Sequence, residues 1–160
     1  MSRAGSIDGF LDGYLPYLLR RADQTLSAPF YETLTRYGVA RSEWRVLAVL
    51  AELGELSVVD LADAALSPQP TVTHALRRLE ARGLVTRTQA SDDKRRRIIS
   101  ITDTGSALTA TLIAHATELE ADALATAGDL TDLVEHLRAV TAAVETRIEA
   151  SAGEHTTQAG

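Results

Sequence analysis

Between Leu61 and Thr102 the chain sets two short helix-forming segments close together and follows them with two β-branched runs around an arginine-rich loop. Few folds take that order. Ser57-Val58-Val59-Asp60 has the spacing in which a serine oxygen and a carboxylate satisfy free amides at a helix start, so a helix is expected from Val58 to about Ala65. The next opens at Ser67-Pro68-Gln69-Pro70, where prolines cost little because first-turn amides have no intrahelical partner. It runs to about Arg82 and stops at Gly83. Leu84-Val85-Thr86-Arg87-Thr88 and Arg97-Ile98-Ile99-Ser100-Ile101 read as the strands of a hairpin, with Asp92-Asp93-Lys94-Arg95-Arg96-Arg97 at its tip. Helix, turn, helix and hairpin make a winged helix-turn-helix, a mainly α (α+β) fold, and the layout points to double-stranded DNA as partner.

At 100° per residue Val72, Leu76 and Leu79 fall on one side of the second helix, and Pro70, Thr71, His74, Arg77 and Arg78 fall broadly opposite. The first set packs and the second faces outward. Hydroxyls, an amide, an imidazole and guanidinium groups on one exposed face suit the major groove, where base edges offer donors, acceptors and thymine methyls. Gln69, Thr71, His74 and Arg77 are the base-reading candidates, with Pro70, Thr73 and Arg78 as further DNA contacts. Lys94, Arg95, Arg96 and Arg97 are the contacts expected from the hairpin. Arg95, flanked by Asp93 and Arg97 on a narrow loop, is suited to the minor groove. From Ser67 to Arg97 eight Lys and Arg stand against three Asp and Glu, so the segment carries +5 in a chain of net charge −6. A local basic stripe attracts phosphates through counterion release while an acidic remainder limits indiscriminate binding. Without the fold pattern the same charges would equally describe a solvated face.

Upstream, Ile7, Leu11, Tyr14, Leu15, Leu18, Ala22 and Leu26 recur at three- and four-residue steps, the stripe of a long first helix. Pro16 and Pro29 interrupt it. An interior proline removes a hydrogen bond and crowds the preceding turn, so a bend or a split is expected near Pro29. After Gly38, Ser42 is expected to cap a second helix carrying Trp44, Val46, Leu47, Val49, Leu50 and Leu53, which Gly54 ends. Two helices over about 104–126 and 130–150 close the chain, and the last sets Leu130, Leu133, Val134, Leu137, Val140, Val144 and Ile148 on one stripe. Part of such a stripe serves intrachain packing, but a three-helix reading head cannot cover both terminal stripes. Pairing the terminal helices of two copies across a two-fold axis would bury them and place two recognition helices about one DNA turn, ~34 Å, apart. The expected organisation is a single domain over 1–150, with a winged core at about 40–103, N- and C-terminal dimerisation helices at about 6–37 and 104–150, and a flexible tail over 151–160.

With 160 residues the chain has room for a core without disulfide staples. It has no cysteine, which excludes disulfides, thiolate nucleophiles, thiol redox sensing and cysteine-held zinc. Met1-Ser2-Arg3-Ala4-Gly5-Ser6 lacks the apolar core of a secretion signal, and no run approaches the ~18–20 apolar residues that span a bilayer. A cytoplasmic protein with no membrane partner is expected. There is no Gly-rich phosphate loop, no Gly-x-Ser-x-Gly and no paired-histidine metal motif, and His74, His115, His136 and His155 are scattered. No enzyme activity, metal or cofactor is expected. The alternative is a winged-helix module that binds other proteins without specific DNA binding, and salt dependence separates the two.

Ser42-Glu43-Trp44-Arg45-Val46-Leu47, Leu61-Ala62, Gln69-Pro70-Thr71-Val72-Thr73, Leu79-Glu80-Ala81-Arg82-Gly83-Leu84-Val85, Asp93-Lys94-Arg95 and Ile101-Thr102-Asp103-Thr104-Gly105 follow one another across most of 42–105. In order and spacing the set resembles the MarR family of bacterial transcriptional regulators. Each fragment alone is weak; the ordered set is specific. The resemblance implies a homodimer with Gln69 to Arg82 as recognition helix, Arg95 as wing arginine and Asp93 orienting it, and repression as the commoner outcome. His74 departs from it, since relatives with this Gln-Pro-Thr-Val-Thr text often carry arginine there. Family members often bind small aromatic or phenolic acids between the dimerisation helices and the reading head, so the resemblance also implies a small-molecule effector. Tyr14, Tyr17, Trp44, Arg45 and His115 are the candidate pocket, because aromatic faces with a cationic group hold a planar anion. The same residues can equally be core and interface.

Overall fold

Ser57 caps its helix as the spacing predicts, and this fixes the entry to the helix-turn-helix. In the computed structural model, which describes residues 9–89 and 97–157 and side chains up to 150, Ser57 Oγ accepts the Asp60 amide at 3.2 Å and donates to Asp60 Oδ2 at 2.6 Å. Helix α4 (Val58–Ala64) follows at once. Before it come α1 (Phe10–Gly13), α2 (Leu15–Arg36), α3 (Arg41–Leu53) and the two-residue strand β1 (Leu56–Ser57); after it come α5 (Gln69–Ala81), β2 (Val85–Gln89), β3 (Arg97–Ile101), α6 (Asp103–Leu124) and α7 (Thr131–Thr157). The fold is a winged helix-turn-helix. Its antiparallel sheet has the order β1-β3-β2, with Leu56 opposite Ile99, Val85 opposite Ile101 and Gln89 opposite Arg97. The hairpin falls where the β-branched runs place it, but β1 was not foreseen. Two residues carry no alternation to read, and β1 exists because the central β3 offers its second edge.

One apolar cluster joins the layers. Leu34 of α2, Val46, Leu47 and Leu50 of α3, Leu61 of α4, Val72, Ala75, Leu76 and Leu79 of α5, Ile99 of β3 and Leu112 of α6 are all buried in it. Burial of side chains this size stabilises by about 1.5–3 kcal/mol each before entropy is subtracted, and most sit on the predicted stripes. Between α4 and α5 the turn passes through Leu66 at φ 49°, a left-handed conformation in a non-glycine residue. Gly83 at φ 67° ends α5 without that steric cost. At the start of α6, Thr102 Oγ1 accepts the Gly105 amide at 3.0 Å and donates to the Gly83 carbonyl at 2.8 Å. Gly105 lies against the wing so closely that an added Cβ would stand 2.1 Å from the Leu84 carbonyl oxygen.

Three expectations need correction. The first helix breaks at Tyr14, in extended backbone at φ −85° and ψ 102°, and continues through Pro29. Pro16 lies in the first turn of α2, where no hydrogen bond is lost. Pro29 frees only the Thr25 carbonyl, and both residues are exposed, so water satisfies the orphan. Second, Ala40 rather than Ser42 is the N-cap of α3, and Glu43 Oε2 accepts the Ala40 amide at 2.9 Å in place of a hydroxyl cap. Third, α7 does not end near Ala150 but continues to Thr157, since no proline follows to stop it.

Two compact units divide after Ala123. The second is dominated by α7, on which Leu133, Val134, Val140, Val144 and Ile148 are exposed, Ile148 by 64%. In the first unit Leu11, Leu15, Leu18, Leu19 and Leu26 are exposed as well. Among the described residues no helix is long and apolar enough to cross a membrane.

Candidate nucleic-acid interface

Helix α5 divides its faces as its sequence does. Val72, Ala75, Leu76 and Leu79 are buried, while Gln69, Pro70, Thr71, His74 and Arg77 are exposed and Thr73 is half-buried. Gln69, Pro70, Thr73, His74 and Arg77 line one open concavity of about 450 Å³. An amide, a hydroxyl, an imidazole and a guanidinium therefore converge on a single surface, and each is a donor or acceptor that a base edge can meet. Arg77 has no ion-pair partner among the described residues. Arg97, at the start of β3 opposite Gln89, is likewise exposed. Asp93, Lys94, Arg95 and Arg96 of the hairpin tip lie outside the described residues.

Arg78 has a partner inside the fold. Its Nε stands 2.6 Å from Oε1 of Glu43, a carboxylate that is fully buried at 0% exposure. The approach is close but not aligned as a hydrogen bond, and it holds as an ion pair. Arg82 Nη1 reaches the same carboxylate at 3.5 Å and donates to the Gly38 carbonyl at 2.8 Å, tying the end of α5 to the turn before α3. Arg87 on β2 pairs with Glu80 of α5 at 3.2 Å. Much of the basic stripe between Ser67 and Arg87 is thus spent on internal carboxylates, one of them contributed from outside that stretch. Arg77 is the arginine of α5 that pairs with no carboxylate among the described residues.

Glu43 was missed as a site residue, although the sequence carries a signal for it. It precedes Val46, Leu47 and Leu50 by three, four and seven residues and so stands on the apolar stripe of α3. A carboxylate there must find cations inside the fold or leave a costly buried charge.

The five candidate pocket residues are not gathered into one place. Trp44 and Arg45 do line a common cleft of about 450 Å³ with Asp23, Ala48, Val49 and Leu66. Trp44 packs edge-on against Phe30 with ring centroids 4.9 Å apart, and Arg45 Nη1 lies 3.5 Å from Ser67 Oγ, just ahead of α5. Tyr14 instead stacks on Phe10, and His115 of α6 meets the Tyr37 hydroxyl at 3.1 Å. Tyr17 is half-buried on α2. Trp44 and Arg45 are adjacent in sequence and share the cleft, which Tyr14, Tyr17 and His115 do not line.

Comparison with known proteins agrees with this arrangement. Residues 37–96 match the model of the MarR family. The chain is 33% identical over 94 residues to the homoprotocatechuate degradative operon repressor of Escherichia coli, an alignment covering 59% of this chain and 64% of that protein. The chain spans 62% and 64% of the length of the first curated relatives that it matches. A crystal structure of a MarR family transcriptional regulator from Silicibacter pomeroyi is similar at 34% identity and a TM-score of 0.71, covering 84% of this chain and 99% of that one. BpsR of Bordetella bronchiseptica, whose DNA binding is regulated by 6-hydroxynicotinic acid, superposes with a TM-score of 0.73 at 25% identity, covering 86% of this chain and 98% of that one.

Proposed function

The chain belongs to the MarR family of transcriptional regulators, and on that premise we propose that it is a sequence-specific DNA-binding repressor. It acts in the cytoplasm as a homodimer on a palindromic or pseudopalindromic site. The observation that carries the reading is the convergence of Gln69, Pro70, Thr73, His74 and Arg77 on one open surface of a helix whose opposite side is locked into the core. Such a helix enters the major groove with its orientation fixed by the protein rather than by the DNA. Thr71 and Arg97 extend the surface, and Lys94, Arg95 and Arg96, with Asp93 as the residue that the family resemblance implies orients Arg95, are the further DNA contacts of this reading. Repression is supported by the E. coli relative, which is itself a repressor.

The exposed apolar faces of α2 and α7 support the homodimer, since two such faces left in water would promote association. A small planar anion is the effector class that the Trp44 and Arg45 cleft supports, as a ring stacks on indole and a carboxylate pairs with guanidinium. That BpsR is regulated by 6-hydroxynicotinic acid supports the same class.

The test is a fluorescence-anisotropy titration against the intergenic duplex upstream of the coding sequence and a scrambled duplex, each at two salt concentrations. The native duplex is expected to bind more tightly, with affinity falling steeply as salt rises. Arg77→Gln is expected to lose about 1–3 kcal/mol on the native duplex and less on the scrambled one, as removal of a base contact requires. Equal losses on both would make Arg77 a phosphate contact. No binding to either duplex at either salt would replace the DNA reading with a protein-interaction module.

A further inference from the structure

We propose that Glu43 is a positioning residue that withholds Arg78 from DNA, and that it thereby widens the difference in affinity between a specific site and bulk DNA. The inference rests on the DNA-binding reading above. Arg78 lies seven residues beyond Thr71, about 20° short of two full turns, so the two share one line of α5. Thr71 is exposed on the proposed DNA face, and the Arg78 side chain is itself 56% exposed. An arginine in that position and at that exposure is an ordinary phosphate ligand. Its Nε is instead turned back 2.6 Å from the buried carboxylate of Glu43.

The geometry makes the restraint strong. Glu43 is wholly out of water, and its counter-charges among the described residues are Arg78 and, at the longer distance of 3.5 Å, Arg82. Swinging the guanidinium away from Glu43 toward a phosphate would leave a buried charge with weaker compensation, so the pair limits how far Arg78 can reach. Arg82 cannot replace it easily, because it is also committed to the Gly38 carbonyl at 2.8 Å. A phosphate contact adds affinity for every sequence alike. Withholding one leaves discrimination to Gln69, Thr71, His74 and Arg77, which face base edges.

The test measures the salt dependence of binding to the scrambled duplex for the full chain and two variants, with thermal melting alongside. Glu43→Gln keeps the amide-sized side chain and releases Arg78. The slope of log K against log salt concentration is expected to steepen by about 0.9 for each protomer that gains a phosphate contact, and the ratio of native to scrambled affinity to fall. The double variant Glu43→Gln/Arg78→Gln is expected to return to the wild-type slope. A merely structural role would lower the melting temperature and leave the slopes alone. A folded Glu43→Gln protein with the wild-type slope would overturn the proposal. Should that variant not fold, a double variant whose slope is shallower than wild type by the same amount would overturn it, since Arg78 would then already be on phosphate. Wild-type protein with no affinity for either duplex would remove the DNA reading itself.

Discussion

Leu66 combines two unfavourable properties, a φ of 49° and a side chain that is 88% exposed. The left-handed conformation costs a residue with a Cβ about 1–2 kcal/mol, and an exposed leucine recovers little of that by burial. Glycine adopts the same φ freely but gives back about 0.5–1 kcal/mol through the entropy of the unfolded chain. Leu66→Gly is therefore expected to stabilise the protein by up to about 1 kcal/mol, a rise of roughly 2–4 °C in melting temperature. A fall would show that the leucine side chain holds the turn through its contact with the Trp44 and Arg45 cleft. Nothing in Ala65-Leu66-Ser67 announces this strain, because the left-handed turn is imposed by the packing of α4 and α5 on either side.

At the scale of elements, the junction of wing and α6 is closely packed. With the Leu84 carbonyl oxygen 2.1 Å from where a Cβ of residue 105 would lie, Gly105→Ala forces backbone to move. A loss on the order of 3 kcal/mol is expected, or roughly 6–12 °C in a melting experiment, and an unchanged melting temperature would mean that α6 slides along the wing without penalty. Most of α4, α5 and the hairpin was legible, because a serine cap, first-turn prolines, Gly83 and two β-branched runs each act locally. What escaped was non-local. The pairing of β1 depends on an edge offered by β3, and the burial of Glu43 depends on two arginines more than thirty residues away. The candidate DNA face was largely visible as a helical stripe, apart from Arg78, whose partner lies on another element. The cleft beside α3 was visible only as the adjacent Trp44 and Arg45, an indole next to a guanidinium.

For the whole molecule, the exposed apolar faces of α2 and α7 make the oligomeric state the decisive quantity. Light scattering at micromolar concentration is expected to give twice the chain mass. Val144→Glu, placing a charge among the exposed Val140, Val144 and Ile148 of α7, is expected to give the single-chain mass and to abolish tight binding to the native duplex. A monomeric wild-type protein would remove the basis for reading two half-sites. The fastening of α5 sets how finely its exposed face is positioned. Its ion pairs among the described residues, through Arg78, Glu80 and Arg82 at its C-terminal side, gather at one end, and the other end leaves a strained turn at Leu66. Thirteen residues make a rod about 20 Å long. Pivoting it by about 5° at the fastened end carries Gln69 through about 1.7 Å, more than the tolerance of a hydrogen bond to a base edge. A helix of that length must therefore be held to within a few degrees along its whole buried face, from Val72 to Leu79, for its reading end to stay in register.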